Sequence, residues 1–130
     1  MTPLDPQAWS DCPAYLRGIE LFNLGRHWEA HEEWEQLWHA AGRRGPVADF
    51  LKALIKLAAA AVKAKARVFP GVISHARRAA ELLASAMDHH GPTFCGLDLK
   101  ELLAAARHWA ASPELADVNN FRLESSTEQR

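Results

Sequence analysis

The spacing of apolar residues constrains the fold of this 130-residue chain more than any other feature of its sequence. Apolar residues recur at intervals of three and four, alanine is abundant, and no segment alternates with a period of two. The first pattern is typical of amphipathic helices, and alternation would indicate half-buried strands. We therefore expect an all-α fold, a compact single-domain bundle of about five helices, which this length supports without disulfides or metals.

Proline and glycine residues mark where the predicted helices begin and end. The helices are expected at about residues 13–25, 26–41, 47–68, 70–89 and 99–111. Pro13 suits a first helical turn, and Gly25 suits a C-terminal cap. Because the connection at Gly25 is very short, the first two helices should pack as an antiparallel pair. Asp98 should cap the start of the fifth helix.

Both ends of the chain extend beyond the predicted helical domain of residues 13–111. Residues 1–12 form an N-terminal extension, and residues 112–130 form a polar C-terminal tail. Within the tail, Phe121 and Leu123 are the candidates for docking on the domain, because exposed polar termini are otherwise loosely held.

The sequence indicates a cytoplasmic protein with no membrane association. No cationic segment followed by an apolar run opens the chain, as a signal peptide would. The most apolar run, residues 53–62, is too short to span a bilayer. Cys12 and Cys95 are isolated and fit no disulfide or zinc framework, which suits a reducing compartment.

The second predicted helix carries the most chemistry, in the stretch GRHWEAHEEWEQLWHAA of residues 25–41. On a helical wheel, His31 and Glu35 fall inside an apolar arc, one turn apart. We expect both to be largely buried, and Glu29 and Glu33 on the opposite side to be solvated. The residues of the arc that should provide packing, together with two from the preceding helix end, are Phe22, Gly25, Trp28, Ala30, Trp34 and Trp38.

A buried carboxylate needs a partner, which leaves two interpretations of Glu35. In one, His31 and Glu35, with Glu32 or His27, bind a divalent metal, since imidazole and carboxylate suit a zinc-like or iron-like ion. In the other, Lys52 or Lys56 from the third helix neutralises the carboxylate. The string HEEWE lacks the second histidine of the His-Glu-x-x-His zinc proteases.

Basic residues form a stripe along the third helix, at Lys52, Lys56, Lys63 and Arg67. Residues 43–78 hold nine Lys or Arg and one acid, although the whole chain has a net charge of −1. Such asymmetry indicates either an anionic partner or neutralisation within the fold. We expect no nucleic acid here, because no aromatic platform alternates with these residues in the sequence.

The segments LFNLGRHWEAHEEWEQLW and FLKALIKLAAAAVK resemble the bacterial and archaeal family known as domain of unknown function 309. The resemblance covers roughly residues 15–103 and is most specific at Trp28, Glu29, Ala30, His31 and Glu32, the Trp-Glu-Ala-His-Glu motif. It implies a small multihelical protein, and some members carry the label of predicted metal-dependent hydrolase. Carried over by position, the other motif residues are Phe22, Asn23, Gly25, Glu35 and Trp38.

This chain departs from the resemblance on the third helix. Many members have glutamine at the positions of Lys52 and Lys56, glycine at that of Ala53, and a histidine near Lys63. Neutral amides and an imidazole are compatible with a metal, whereas a protonated lysine repels one. The departure weakens the metal hypothesis for this chain.

Three functions follow as hypotheses from the sequence. The one we favour is a non-catalytic binding or assembly module, acting as a homo-oligomer or with a protein partner that an exposed Trp9 or Trp109 would anchor. The second is a metal-dependent hydrolase that uses His31, Glu32 and Glu35. The third is anion or nucleic-acid binding by the basic stripe. We expect no resident cofactor, a divalent metal being the alternative.

Overall fold

Five α-helices make up most of residues 1–126, the part of the chain that the computed structural model describes. They are α1 (Pro13–Asn23), α2 (His27–Ala40), α3 (Pro46–Lys65), α4 (Phe69–His90) and α5 (Leu99–Ala111). Each helix packs against the next one along the chain. The all-α prediction is confirmed. Residues 127–130, the end of the predicted tail, lie outside the described residues.

Short elements at the two ends complete the described part of the chain. A 3-10 helix, Pro6–Asp11, precedes α1, and another, Pro113–Leu115, follows α5. No helix among residues 1–126 is long and apolar enough to cross a membrane.

Helix α3 lies at the centre of the fold, between α2 and α4. Ten of its residues are buried, and they point in nearly every direction around its axis. The sequence accounts for this, because every position between Phe50 and Ala61 is apolar except Lys52 and Lys56. Its exposed or half-buried positions between those two residues are Lys52, Lys56 and Ala59.

The sharp turn between α1 and α2 depends on Gly25, as the sequence predicts. Gly25 has a φ of 80°, in the left-handed region that glycine adopts without strain. The N–H of Gly25 donates to the carbonyl of Phe22 (3.0 Å), and the N–H of Arg26 donates to that of Leu21 (2.9 Å). This pair of bonds is the Schellman motif, which satisfies the last carbonyls of α1 and sends the chain back along it.

A second glycine allows α1 and α2 to approach closely. Gly18 is buried, and a Cβ atom at this position would lie 2.1 Å from Nε1 of Trp34. The indole of Trp34 is fully buried and donates to the carbonyl of Tyr15 at 3.3 Å. The space that Gly18 leaves is therefore filled by the largest buried side chain of α2.

A small hairpin between α4 and α5 is absent from the sequence prediction. Its strands, β1 (Thr93–Phe94) and β2 (Leu97–Asp98), are two residues each. Cys95 and Gly96 both have positive φ, at 48° and 78°, the geometry of a two-residue hairpin turn. The hydroxyl of Tyr15 donates to the carbonyl of Cys95 at 2.7 Å, which ties the hairpin to α1. Strands this short leave no alternation for a sequence pattern to show.

Helix α3 ends three residues earlier than predicted. The expected end was residue 68, but Arg67 has a φ of 58° and lies in a Schellman cap after α3. Its guanidinium lies 5.0 Å from the ring centroid of Phe69. Arg67 therefore does not belong to the basic stripe of the helix, which keeps Lys52, Lys56 and Lys63.

We predict that Gly18→Ala lowers the free energy of unfolding by about 1–3 kcal/mol, because the added methyl group overpacks the contact with Trp34. Alanine has a higher helix propensity than glycine, so propensity alone would raise the free energy of unfolding. A decrease therefore indicates the clash with Trp34. Urea denaturation measures the effect. The double variant Gly18→Ala/Trp34→Phe should lose less than the sum of the single variants, and simple additivity would contradict the packing argument.

Candidate functional site

One face of α2 is directed toward the lysines of α3. Trp28, His31, Glu35 and Trp38 follow one another at spacings of three and four, so they share a face of the helix. At its C-terminal end, Nζ of Lys52 lies 4.0 Å from the centroid of the Trp38 ring. This cation–π contact fixes the register between the two helices.

The other wall of the site is α4. The side chain of Lys63 lies over Gly71, where a Cβ atom would meet its Cγ at 2.8 Å. Because α3 runs antiparallel to both neighbours, these contacts place Ala59 level with His31 on α2 and His75 on α4. We call this the α2–α4 groove; it is formed by His31 and Glu35, by Lys52, Lys56 and Lys63, and by His75.

The groove is cationic. Burial lowers the pKa of Lys52 first of all, and the neighbouring Lys56 lowers it further, whereas Glu35 acts in the opposite direction. The pKa of His75 is lowered by burial and then by Lys56, Lys63 and His31. Within residues 1–126, no carboxylate forms an ion pair with any of the three lysines. Three ammonium groups thus share a groove with one carboxylate.

Glu35 differs from the expectation that it is largely buried. Its side chain is 44% exposed, and its Oε2 lies 3.4 Å from Nε2 of His31, which is 18% exposed. Glu33, expected to be solvated, is the more covered of the two acids at 22%, because Arg17 of α1 donates to it at 2.8 Å. Glu35 is therefore a groove residue that contacts solvent, rather than a core carboxylate that must be neutralised.

The described residues bring few metal donors together at this site. Glu32 is exposed and makes no hydrogen bond or ion pair within the described residues. His31 and Glu35 supply two ligands, and among residues 1–126 no group of three or more His, Cys, Asp or Glu could hold a metal ion. Lys52 interacts electrostatically with Glu35 and with its neighbour Lys56, and positively charged lysines repel a cation. This described donor set is smaller than the three protein ligands that a catalytic zinc site uses.

The exposed tryptophan is Trp28 rather than Trp9 or Trp109. Trp9 and Trp109 are 5% and 3% exposed and belong to the core, so neither anchors a partner. Trp28, expected to be a packing residue, is 56% exposed. Its indole stacks on the His31 ring, with centroids 5.0 Å apart and an angle of 24° between the planes. An aromatic surface therefore borders the basic groove, contrary to the expectation from sequence.

The remaining motif residues have structural roles. Phe22, Ala30 and Trp34 are buried, and Trp38 is half-buried. His27 is only 2% exposed, and neither ring nitrogen has a hydrogen-bond partner among the described residues. Burial, and after it the charge of Lys65, lowers the pKa of His27 to about 4. His27 is therefore a neutral core residue, packed edge-on against Phe22.

Asn23 holds the C-terminal tail, a role that the sequence analysis missed. Its side-chain amide donates to the carbonyl of Leu123 (2.8 Å) and accepts from the N–H of Leu123 (2.7 Å). Leu123 is 2% exposed, and Phe121 packs edge-on against Phe22 and Trp109. The partners lie a hundred residues apart in sequence, so no local pattern indicates them.

Open cavities occur beside this tail, away from the α2–α4 groove. One of about 810 Å³ lies between α5 and the tail and is lined by His108, Trp109 and Arg122, among others. A second, of about 510 Å³, lies between α1 and the tail, beside Asn23 and Leu123. Neither cavity places candidate catalytic groups beside the candidate site residues of α2 and α3.

We predict that Asn23→Ala releases the tail, because both hydrogen bonds to Leu123 are lost. Amide hydrogen exchange at residues 118–126 should become faster, while exchange in α3 stays slow. Asn120→Ala is the matched control, since the side-chain amide of Asn120 donates to the exposed carboxylate of Asp117 and to no other residue among 1–126. Equal exchange in the two variants would show that Asn23 does not hold the tail.

We also predict that His27 makes folding sensitive to acid. Above pH 6.5 the His27 imidazole is neutral in both the folded and the unfolded chain, so it does not lower the free energy of unfolding. As the pH falls from 6.5 to 4, His27 becomes protonated in the unfolded chain but stays neutral in the folded chain. The free energy of unfolding therefore falls by about 3 kcal/mol. The free energy of unfolding of the wild type, measured across this range, should drop more than that of His27→Phe. Parallel curves would rule out this role.

Comparison with known proteins bears on the first half of the chain. No curated protein matches it. A family model, described as domain of unknown function, matches residues 15–74, which run from α1 to the first turns of α4. The later segments that resemble the family, in α4 and α5, lie mostly outside this match. This match confirms the resemblance of residues 15–74 to the family known as domain of unknown function 309.

Proposed function

We propose that the protein is a non-catalytic binding module that holds an anionic ligand in the α2–α4 groove. The observation that carries the proposal is the uncompensated charge of the groove. Lys52, Lys56 and Lys63 are half-buried along one face of α3, and none forms an ion pair among residues 1–126. Like charges at these spacings destabilise a helix. An anion between them removes this repulsion and supplies the missing partners.

The layout of the groove residues supports the same function. Ala59 is half-buried and, by the helix register, lies level with His31 and His75, so the side chain of α3 at this point is short. Lys56 and Lys63 are seven residues apart, about 10 Å along the helix axis. Both act on the pKa of His75, which places their charges near the same imidazole. A ligand with several negative groups, such as a short polyphosphate, matches this spacing better than a single carboxylate.

Hydrolysis is a less suitable function for these residues. The groove has one carboxylate, Glu35, and its Oε2 lies 3.4 Å from Nε2 of His31. Without a third metal ligand in the described residues, this pair lacks the means to activate a water by a metal. Binding requires only the charges already present.

We expect tripolyphosphate to bind the wild-type protein and to bind Lys56→Gln about tenfold to a hundredfold more weakly, because a charged hydrogen-bonding group is lost. Titration calorimetry measures both affinities. Binding to the wild type should also weaken as KCl is added.

The matched control is Lys100→Gln, which removes an exposed lysine from α5 while leaving the groove intact. Equal affinities of Lys56→Gln and Lys100→Gln would place the anion elsewhere on the surface. Absence of binding to the wild type would contradict the proposed function itself.

A further inference from the structure

Trp28 has an exposure that the packing of the bundle does not explain. Among the five tryptophans, Trp9, Trp34 and Trp109 are buried, and Trp38 is half-buried beneath Lys52. Trp28 is 56% exposed although it shares the groove-facing side of α2 with His31 and Glu35. An indole left in water forgoes the burial that stabilises most tryptophans.

The contacts of Trp28 place it at one end of the groove. Its ring stacks on His31 at 5.0 Å. Counting along the antiparallel pair from the contact between Trp38 and Lys52 puts Trp28 level with Lys63. By this register the exposed indole lies at the end of the groove nearest Lys63, and Lys56 and Lys52 follow along α3.

We propose that the α2–α4 groove binds a mononucleotide, with its base stacked on Trp28 and its phosphates held by Lys63 and Lys56. This assignment rests on the proposed anion-binding function and specifies the ligand class. A planar base would cover the exposed surface of the Trp28 indole, whereas a simple phosphate would leave that surface in contact with water. Base–aromatic stacking needs no particular base, because every base has a π-face.

The second aromatic ring of the site argues for a single nucleotide rather than a strand. Proteins that bind single strands stack successive bases on successive aromatic side chains. Here Trp38 lies at the far end of the groove, but the ammonium of Lys52 covers its ring at 4.0 Å. Trp38 is also half-buried, whereas Trp28 is 56% exposed and offers the more open ring on this face of α2.

The imidazole of His75 completes the phosphate end. Burial and the adjacent lysines lower its pKa, so it is neutral near pH 7 and serves as a hydrogen-bond partner rather than a fourth positive charge. The groups that face it are Lys56 and Lys63 of α3 and His31 of α2. The positive charge of the groove therefore comes from its lysines alone.

The test compares ATP with tripolyphosphate, which has the same phosphate chain and no base, in metal-free buffer by titration calorimetry. We expect ATP to bind the wild type about tenfold to a hundredfold more tightly than tripolyphosphate does. Trp28→Ala should remove this difference and leave tripolyphosphate binding unchanged. Trp28→Phe, which keeps an aromatic ring, should restore most of it.

Leu115→Ala is the matched control, because Leu115 is 67% exposed on the 3-10 helix after α5 and far from α2 in sequence. It should bind both ligands as the wild type does. Thermal unfolding of each variant checks that the fold is intact, which the exposure of both side chains favours.

The outcomes separate this inference from the proposed function. If ATP and tripolyphosphate bind the wild type equally, or if Trp28→Ala binds ATP as the wild type does, the nucleotide assignment is overturned and the anion site stands. If neither ligand binds, both proposals fail. If a deoxyadenosine oligonucleotide binds much more tightly than ATP, the ligand is a strand rather than a mononucleotide, and the assignment is again overturned.

Discussion

The burial of α3 between α2 and α4 is the constraint on which the rest of the structure depends. A helix that packs against neighbours on most sides has to be apolar nearly all round. Polar residues are then confined to the strip of the α3 surface that neither α2 nor α4 covers. Lys52, Lys56 and Lys63 lie on that strip, and the flanking faces of α2 and α4 form the walls of the groove. Helix α3 therefore contributes to both the core and the candidate site, from different sides of its surface.

The approach of α2 to this central helix depends on glycine. Gly25 reverses the chain after α1, and Gly18 admits the indole of Trp34 between the first two helices. With Trp34 buried on that side, Trp28, His31 and Glu35 are directed toward the lysines instead. A bulkier residue at Gly18 would alter the position of α2, and with it the groove.

The parts of this arrangement that the sequence predicted are local ones. The cap at Gly25 depends on residues within one turn, as does the cap at Asp98, whose carboxylate accepts from the backbone N–H groups of Lys100 and Glu101. The helical wheel of α2 also gives the direction in which each side chain projects from the helix. It gives no information on what lies in that direction, and this is where the predictions of exposure failed.

Glu33 and Glu35 show the difference most clearly. The wheel places Glu33 away from the apolar arc, but Arg17 of α1 covers it, whereas Glu35 lies in the arc and opens into the groove. Asn23 shows the same limit at longer range, because its partner is the backbone of Leu123. In each case the deciding neighbour comes from another element, whose position depends on packing rather than on local pattern.

The same reasoning applies to the Trp-Glu-Ala-His-Glu motif. Its Ala30 packs in the core, while its Trp28 and His31 stack on each other outside the core, so the motif contributes both to packing and to the α2 face of the groove. Whether a His–Glu pair on α2 attracts a cation or tolerates an anion depends on the charges opposite, on α3. With lysine at positions 52 and 56, the electrostatic balance favours the anion. The chemistry of the motif is therefore decided by the helix that faces it.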